Sequence, residues 1–265
     1  MASAAVRVVR APSALTWYAL DGNVVAGEVS AKMRADGRWF LWFDTWRPDV
    51  YPPLADVVAQ DLSRDLHASL DDADFDALDA CAAAGFAEHR RESHYRIPID
   101  RQPTGLHGTA LPDELDLVSA ADADVGRLRL LDDALRQDLP GCDGWRWDPS
   151  EFQAEAFGRF FDPATYLVAV DRSCGDYAGL VQVRRSRGGP RLGLIGTLAP
   201  YRERGIARAL LSRVLSVLLV RGETSLIAEA DDASVMSVSL LTRLGARRYA
   251  GSVELVRRHP AIVTD

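Results

Sequence analysis

Hydrophobic and polar positions along the chain predict a regular succession of strands and helices. Residues 14–46 are predicted to form strands at 17–20, 24–33 and 38–46, and Asp36-Gly37 is a hairpin signal within them. Apolar positions then recur at helical spacing in 54–66 and again in 74–84. A further strand is predicted at 94–99. The first hundred residues are therefore predicted to mix strands and helices in one unit.

The second half repeats this alternation with more elements. Strands are predicted at 115–118, 165–170, 177–184, 192–198, 225–230, 247–249 and 252–256, and helices at 121–137, 150–160 and 234–244, with another ending near 220. Between the halves, residues 100–113 are rich in proline, glycine and polar side chains, which is typical of a linker. We place the boundary there and predict two domains, 1–105 and 106–265.

The segment that joins the predicted strand 192–198 to the helix after it carries the clearest chemistry. It reads Arg202-Glu203-Arg204-Gly205-Ile206-Ala207, and Gly205 and Ala207 leave its backbone unobstructed. The first four N–H groups of a helix have no partner within it, and the helix dipole adds about half a positive charge there. The segment therefore predicts a site for an anion such as a pyrophosphate.

This segment resembles the pyrophosphate loop of the GCN5-related N-acetyltransferases (GNATs). The family pattern is Gln or Arg, two residues, Gly, one residue, and Gly or Ala, filled here by Arg202, Gly205 and Ala207. The resemblance covers about residues 115–258, in which the predicted elements follow the family's order. It implies an α/β (α+β) fold, with a mixed, mostly antiparallel sheet flanked by helices.

The resemblance implies transfer of an acetyl or other acyl group from acetyl-CoA to the primary amine of a small molecule. A protein or peptide amine as acceptor is an alternative, and so is a non-catalytic CoA-binding regulatory module. The residues expected to hold the donor are Thr197, Leu198, Arg202, Glu203, Arg204, Gly205, Ile206, Ala207 and Ser234. Ser234 stands where the family usually has an Asn.

The sequence indicates the candidate general acid and base less clearly than it indicates the residues that hold the acetyl donor. Many GNATs carry a Glu on the strand before the loop, and here the strand 192–198 has no carboxylate. Glu229 on the following strand is the candidate base, and an ion pair with an arginine is an equal alternative for it. The family's general-acid Tyr falls on Leu241, which leaves Tyr166 as a catalytic candidate.

Two tryptophans are candidates for contact with the acceptor. Trp145 and Trp147 lie in the loop between the first two helices of the second half, where the resemblance implies an acceptor cleft. Their rings are suited to stacking on a cationic or planar acceptor. The alternative is that they pack the loop itself.

The two halves also resemble each other. Residues 45–48 align with 197–200, and in this alignment Val50 stands in the place of Arg202 and Pro53 in the place of Gly205. Proline has no N–H to offer a phosphate. The chain is thus predicted to be a tandem pair of GNAT-like domains, of which the first is degenerate and binds CoA weakly or not at all. The alternatives are two unrelated α/β halves, or one domain with a long N-terminal extension.

Composition and charge argue against several classes of partner and ligand. The 265 residues carry a formal net charge of −7 with a pI near 5.3, which argues against nucleic acid as a partner. Three cysteines without CxxC spacing and five scattered histidines predict no metal. No apolar run suits a membrane span and no secretory signal is evident. We therefore expect a cytoplasmic monomer or homodimer without a membrane partner.

Overall fold

The computed structural model describes residues 6–99, 106 and 109–260. They divide into two compact units. The N-terminal unit joins the described residues up to Glu92 with those from Ala250 onward, and the C-terminal unit runs from Ser93 to Tyr249. Much of the predicted linker 100–113 lies outside the described residues.

Strands and helices alternate as the hydrophobic pattern predicts. The strands are β1 (Arg7–Arg10), β2 (Thr16–Asp21), β3 (Val24–Met33), β4 (Trp39–Asp44), β5 (Leu66–Asp71), β6 (Ala87–Pro98), β7 (Leu115–Ser119), β8 (Tyr166–Asp171), β9 (Tyr177–Ser186), β10 (Gly189–Thr197), β11 (Ser225–Asp231) and β12 (Arg247–Arg257). The α-helices are α1 (Tyr51–Leu62), α2 (Phe75–Ala83), α3 (Val125–Arg136), α4 (Pro149–Ala156), α5 (Ile206–Val220) and α6 (Val235–Arg243). Short 3₁₀ helices occupy Pro48–Val50, Ala120–Asp122 and Ala199–Tyr201.

The N-terminal unit is a sheet with strand order β1-β2-β3-β4-β5-β12-β6. β4 and β5 pair in parallel, whereas β1 to β4 pair antiparallel in sequence order and β12 pairs antiparallel with β5. Helices α1 and α2 supply the apolar residues that cover it, and Trp17, Leu54 and Val58 are fully buried in the resulting core.

The C-terminal unit is a sheet with strand order β6-β11-β10-β9-β8-β7. Its parallel pair is β10 with β11, and β7 to β10 pair antiparallel in sequence order. Helix α5 packs on one face in a core that includes Ile206 and Leu210, and α3 and α4 pack in another core with Tyr166 and Leu194. Both units therefore have the mixed, mostly antiparallel sheet flanked by helices that the sequence predicts.

The two units repeat their local structure in detail. Asp71 accepts a hydrogen bond from the N–H of Ala73, and Asp231 does the same for Ala233. Helix α2 ends at a glycine with positive φ, Gly85, as α6 does at Gly245. These matched turns agree with the internal repeat predicted from the sequence.

The division into units differs from the predicted boundary between 105 and 106 at two strands. The latter part of β6 belongs to the C-terminal unit, and most of β12 belongs to the N-terminal unit. Backbone hydrogen bonds explain the difference, because Ser252 to Arg257 pair with β5 while the Ile99 N–H donates to the Thr224 carbonyl at 2.9 Å. Strand pairing across such distances along the chain leaves no local pattern in the sequence.

Candidate functional site

The centre of the C-terminal unit is a place where two parallel strands separate. β10 pairs with β11 at Arg191 and Ile227, and β10 then continues along β9 as far as Thr197. A register shift between Leu192 and Leu194 places a bulge at Gly193, which bends the strand. The edge of β10 beyond the bulge is therefore open on the side where β11 has left it.

Backbone groups at the end of β10 point into this opening. The Leu198 N–H is not among them, because it donates to the Ala178 carbonyl at 2.9 Å. Successive N–H groups of a strand face opposite sides, so the Thr197 N–H faces away from β9. Thr197 and Leu198 are the two residues predicted to contact acetyl-CoA here. Of these two, Thr197 has its backbone N–H on the open side.

The loop after β10 presents its amides at the start of α5. Glu203 has φ 64° and Gly205 has φ 78°, and Gly205 is the N-cap of α5 without a capping side chain. None of the backbone N–H groups of residues 203–207 donates to an acceptor among the described residues. Unpartnered amides at the positive end of a fifteen-residue helix form an anion site.

The arginines of the loop stabilise it through hydrogen bonds and ion pairs, and they also add positive charge. The Arg202 guanidinium donates to the Thr197 carbonyl at 3.3 Å and pairs with the Asp138 carboxylate. Arg204 pairs with Glu114 at 3.4 Å and lies over the Tyr201 ring. Both arginines are exposed, so they remain accessible to a ligand at the loop.

Ser234 lies at the start of α6. Its hydroxyl accepts a hydrogen bond from the Ser237 N–H at 3.4 Å and donates to the Ser237 hydroxyl at 2.8 Å. The side chain thus caps its own helix, as Asp74 caps α2 in the other unit. Its predicted contact with CoA stays a prediction.

Glu229 lies on β11, two residues beyond the pairing with β10. Its carboxylate forms an ion pair with Arg191, which is the alternative role considered for it, and also lies 3.7 Å from His94 Nε2. The ring of Tyr249 is 6.2 Å from that of His94. A carboxylate and an imidazole thus lie within 3.7 Å of each other, with the Tyr249 ring next to the imidazole.

His94 and Arg191 were not singled out from the sequence. His94 lies on β6, which the predicted boundary assigned to the first domain, and Arg191 was one of many arginines on a strand. The signal that could have indicated Arg191 is its position two residues before the Gly193 bulge. No local signal could have indicated His94, because strand pairing brings it to Glu229.

Tyr166 is a core residue in the structure. It is 1% exposed, it packs with Phe157 and Phe161, and its hydroxyl has no hydrogen-bond partner among the described residues. Burial, followed by the nearby Asp132 carboxylate, raises its pKa well above the usual value. This position favours a packing role, and no observation tests its predicted catalytic role.

The two tryptophans are held by the protein itself. The Trp147 indole N–H donates to Asp132 at 2.8 Å, and its backbone N–H donates to Asp133 at 2.9 Å. The Arg136 guanidinium lies over both indoles, 4.7 Å from the Trp145 ring and 5.7 Å from the Trp147 ring. The arrangement favours the packing alternative, and binding of an acceptor stays a prediction.

No group of three or more His, Cys, Asp or Glu side chains among the described residues is arranged to hold a metal ion. No helix within the described part of the chain is both long and apolar enough to cross a membrane. The candidate site therefore consists of the loop 198–207, the open edge of β10 and the Glu229 cluster.

Residues 132–246 match a family model described as the Acetyltransferase (GNAT) family. This part of the chain is a GNAT domain. The match spans α4, the strands β8 to β11 and the loop with Gly205. The resemblance carried by the loop sequence is thereby confirmed, and GNAT proteins as a family transfer acyl groups. Among curated proteins, none matches this chain.

Solved GNAT structures share the fold over nearly the whole chain. A GCN5-related N-acetyltransferase from Sphaerobacter thermophilus is 17% identical with a TM-score of 0.71, covering 93% of this chain and 82% of that one. A tandem GNAT protein from the clavulanic acid biosynthesis pathway is 15% identical with a TM-score of 0.69, covering 94% and 83%. A GNAT from Kribbella flavida is 18% identical with a TM-score of 0.56, covering 97% and 91%. These likenesses show a tandem GNAT fold.

Proposed function

We propose that the C-terminal unit transfers an acetyl group from acetyl-CoA to the primary amine of a small molecule. The observation that carries this proposal is the run of unpartnered amides at 203–207, which suits the pyrophosphate of CoA. The N-terminal unit is proposed to have a supporting role rather than a second donor site. The protein is proposed to act as a monomer or homodimer, without nucleic acid or membrane as partner.

The open edge of β10 is proposed to supply a hydrogen-bond donor to the thioester oxygen. The amine nitrogen attacks the thioester carbon, the carbon–sulfur bond breaks, and the products are an amide and the free CoA thiol. Negative charge develops on the thioester oxygen during this attack. The Thr197 N–H faces the open side of the strand and is our proposed donor to that oxygen, an effect of about 3 kcal/mol.

Glu229 and His94 are proposed to handle the proton. An ammonium must lose a proton before it attacks, and the leaving thiolate must gain one. Glu229 is one-quarter exposed and lies 3.7 Å from His94 Nε2, so either group is open to a proton from the acceptor. Arg191, held against the same carboxylate, is proposed to fix its orientation.

Binding of acetyl-CoA is the first test, by calorimetric titration into the wild-type protein and into Gly205→Pro. Proline fixes φ near −65°, which conflicts with the φ of 78° at this position, and it removes one of the amides. We expect one site in the wild type and none in the variant. Gly222→Pro, at the other end of α5 with the same φ of 78°, is the matched control and should still bind.

The other outcomes each change the proposal. Two sites would show that the N-terminal unit also binds the donor. Absence of binding to the wild type would leave only the fold. Equal loss in both glycine variants, with unchanged circular dichroism, would mean that the loop has no special part in binding.

A second candidate function is a non-catalytic CoA-binding module, because Arg191 already holds the Glu229 carboxylate. Thiol release from acetyl-CoA distinguishes the transferase from the non-catalytic module. It is measured with a panel of small amines and of peptides that have a free N-terminal amine. Release with small amines supports the transferase, and release with peptides alone supports a protein acceptor. Donor binding without thiol release for any amine supports the non-catalytic module.

A further inference from the structure

A cavity lies in the N-terminal unit and is lined by residues of that unit alone. It has a volume of about 860 Å³ and opens where α1 ends and β5 begins. Its lining includes Arg38, Arg64, Arg258, His67, His89 and His259, so three of the chain's five histidines surround one space. The proposed donor chemistry uses none of them.

The charge around this cavity is positive in a protein whose net charge is −7. Among the described residues that line it, Asp65 is the one acid. Asp65 is already satisfied, since Arg258 lies 2.6 Å away and the His259 N–H donates to it at 2.8 Å. Burial raises the pKa of Asp65, but these two partners outweigh it and keep the carboxyl ionised.

An ion-pair network holds Arg38, one of the residues that line the cavity. Glu254 is 4% exposed and receives hydrogen bonds from Arg90 at 2.8 Å and from Arg38 at 3.1 Å. Asp36 holds Arg38 from the other side at 2.7 Å. Arg38 is thus compensated, and its position at the cavity wall is rigid.

His67 lines the cavity and is itself 3% exposed. Its Nδ1 lies 3.3 Å from Glu254, within ion-pair distance but without the geometry of a hydrogen bond, and no other described group satisfies that nitrogen. Phe40 stacks on the ring at 5.3 Å and fixes its plane. A buried polar side chain with an unsatisfied nitrogen is unusual in a native protein.

Arg64 is the cation that remains available. It is exposed at the lip of the cavity, and it forms no hydrogen bond or ion pair with any other described residue. Trp39 and Leu62 line the same space and provide apolar surface beside it. The volume lies in the range of sites that hold small organic molecules.

We propose that this cavity binds a small organic oxyanion, a carboxylate or phosphate ester with an apolar body. Arg64 and the histidines meet the oxyanion, and Trp39 and Leu62 meet the body of the ligand. A metal ion is the other ligand that three histidines suggest. The described side chains, however, include no group arranged to hold one, and the arginines repel a cation.

The test uses phenyl phosphate as the probe, with the imidazole signals of the full-length protein followed by NMR. We expect saturable shifts of the signals of His67, His89 and His259, and unshifted signals of the other two histidines. Inorganic phosphate should shift the same three signals at higher concentration, about tenfold weaker, because it lacks the apolar body. Benzylamine, which has the ring but the opposite charge, should shift none of these three signals.

Arg64→Ala should weaken phenyl phosphate binding about fivefold, because it removes the uncompensated cation. The variant should fold, since Arg64 has no partner to lose. Arg187→Ala removes another exposed arginine, from the C-terminal unit, and should leave the affinity within about twofold. These variants distinguish the cavity from binding of phosphate at the α5 loop.

Three results would overturn the proposal. They are the absence of a saturable shift up to about 10 mM probe, unchanged affinity in Arg64→Ala, and equal binding of benzylamine. The last result would identify an apolar pocket without selectivity for charge. A crystal of the protein soaked with phenyl phosphate would then show whether the ring alone occupies the cavity.

Discussion

The two units begin their long helices in opposite ways. In the C-terminal unit the chain leaves the 3₁₀ helix Ala199–Tyr201, passes through Glu203 and Gly205 with positive φ, and only then enters α5. In the N-terminal unit α1 begins at Tyr51, directly after the 3₁₀ helix Pro48–Val50, and its first turn contains Pro52 and Pro53.

This difference shows how little of the fold carries the anion site. Val50, which aligns with the exposed Arg202, is fully buried in the core of its unit. The prolines remove amides from the first turn, where Gly205 and its neighbours present them. A strand–turn–helix unit can therefore keep its packing while a few residues at the turn remove the unpartnered amides.

The largest expected effect tests whether the two helices are structurally equivalent. Leu54 and Ile206 align in the repeat and are 0% and 1% exposed. Leu54→Ala and Ile206→Ala should each lower the free energy of unfolding by about 3 kcal/mol, because each leaves a cavity in a packed core. Urea denaturation measures this. A loss below about 1 kcal/mol for Leu54→Ala would mean that α1 is only loosely packed.

The next effect is on catalysis. Glu229→Gln keeps the shape of the side chain but removes its ability to accept a proton, and kcat for amine acetylation should fall about 100-fold, equivalent to about 2.7 kcal/mol. The matched residue on β5 is Ser69, two residues before Asp71 as Glu229 precedes Asp231. Ser69→Ala should leave kcat unchanged. An unchanged rate in Glu229→Gln would assign the carboxylate a structural role.

The third effect is a loss of stability at low pH, which should arise in the N-terminal unit. Burial raises the pKa of Glu254, but the nearby His67 imidazole and the hydrogen bonds and charges of Arg90 and Arg38 outweigh it and lower the pKa from 4.5 to about 2. Because the folded-state value is depressed, the stabilisation is complete above about pH 4.5 and is lost as the pH falls towards 2.

The N-terminal unit should therefore lose about 2 to 3 kcal/mol of unfolding free energy over this window. Glu254→Gln should be less stable than the wild type at neutral pH and should depend less on pH between 4.5 and 2. Urea denaturation at several pH values measures both quantities. Parallel pH profiles for the two proteins would show that Glu254 is not the group responsible.

The smallest effect compares the two helix ends. Helix α1 ends at Ser63 with φ 50°, a conformation that is strained for a side chain, whereas α5 is followed by Gly222 with φ 78°. Ser63→Gly should stabilise the protein by about 0.5 to 1 kcal/mol, and Gly222→Ser should destabilise it by a similar amount. Thermal unfolding of the two variants gives the signs, and the same sign for both would contradict the argument.

Local patterns predicted the elements and the turn at 202–207 because their information is contiguous. Arg202, Gly205 and Ala207 stand next to each other in the chain, and the φ of 78° at Gly205 is the kind of conformation that a glycine in a turn indicates. The helix that follows was predicted from the spacing of its apolar residues. The fold class followed from the order of these elements.

Tertiary structure alone decided which side chains meet. Strand pairing brings His94 on β6 to Glu229 on β11, and it also moves β12 into the N-terminal unit. Packing decided that Arg136 covers Trp145 and Trp147 and that Tyr166 is buried. Such contacts join residues far apart in the chain, and their partners depend on register and packing, which no local sequence pattern specifies.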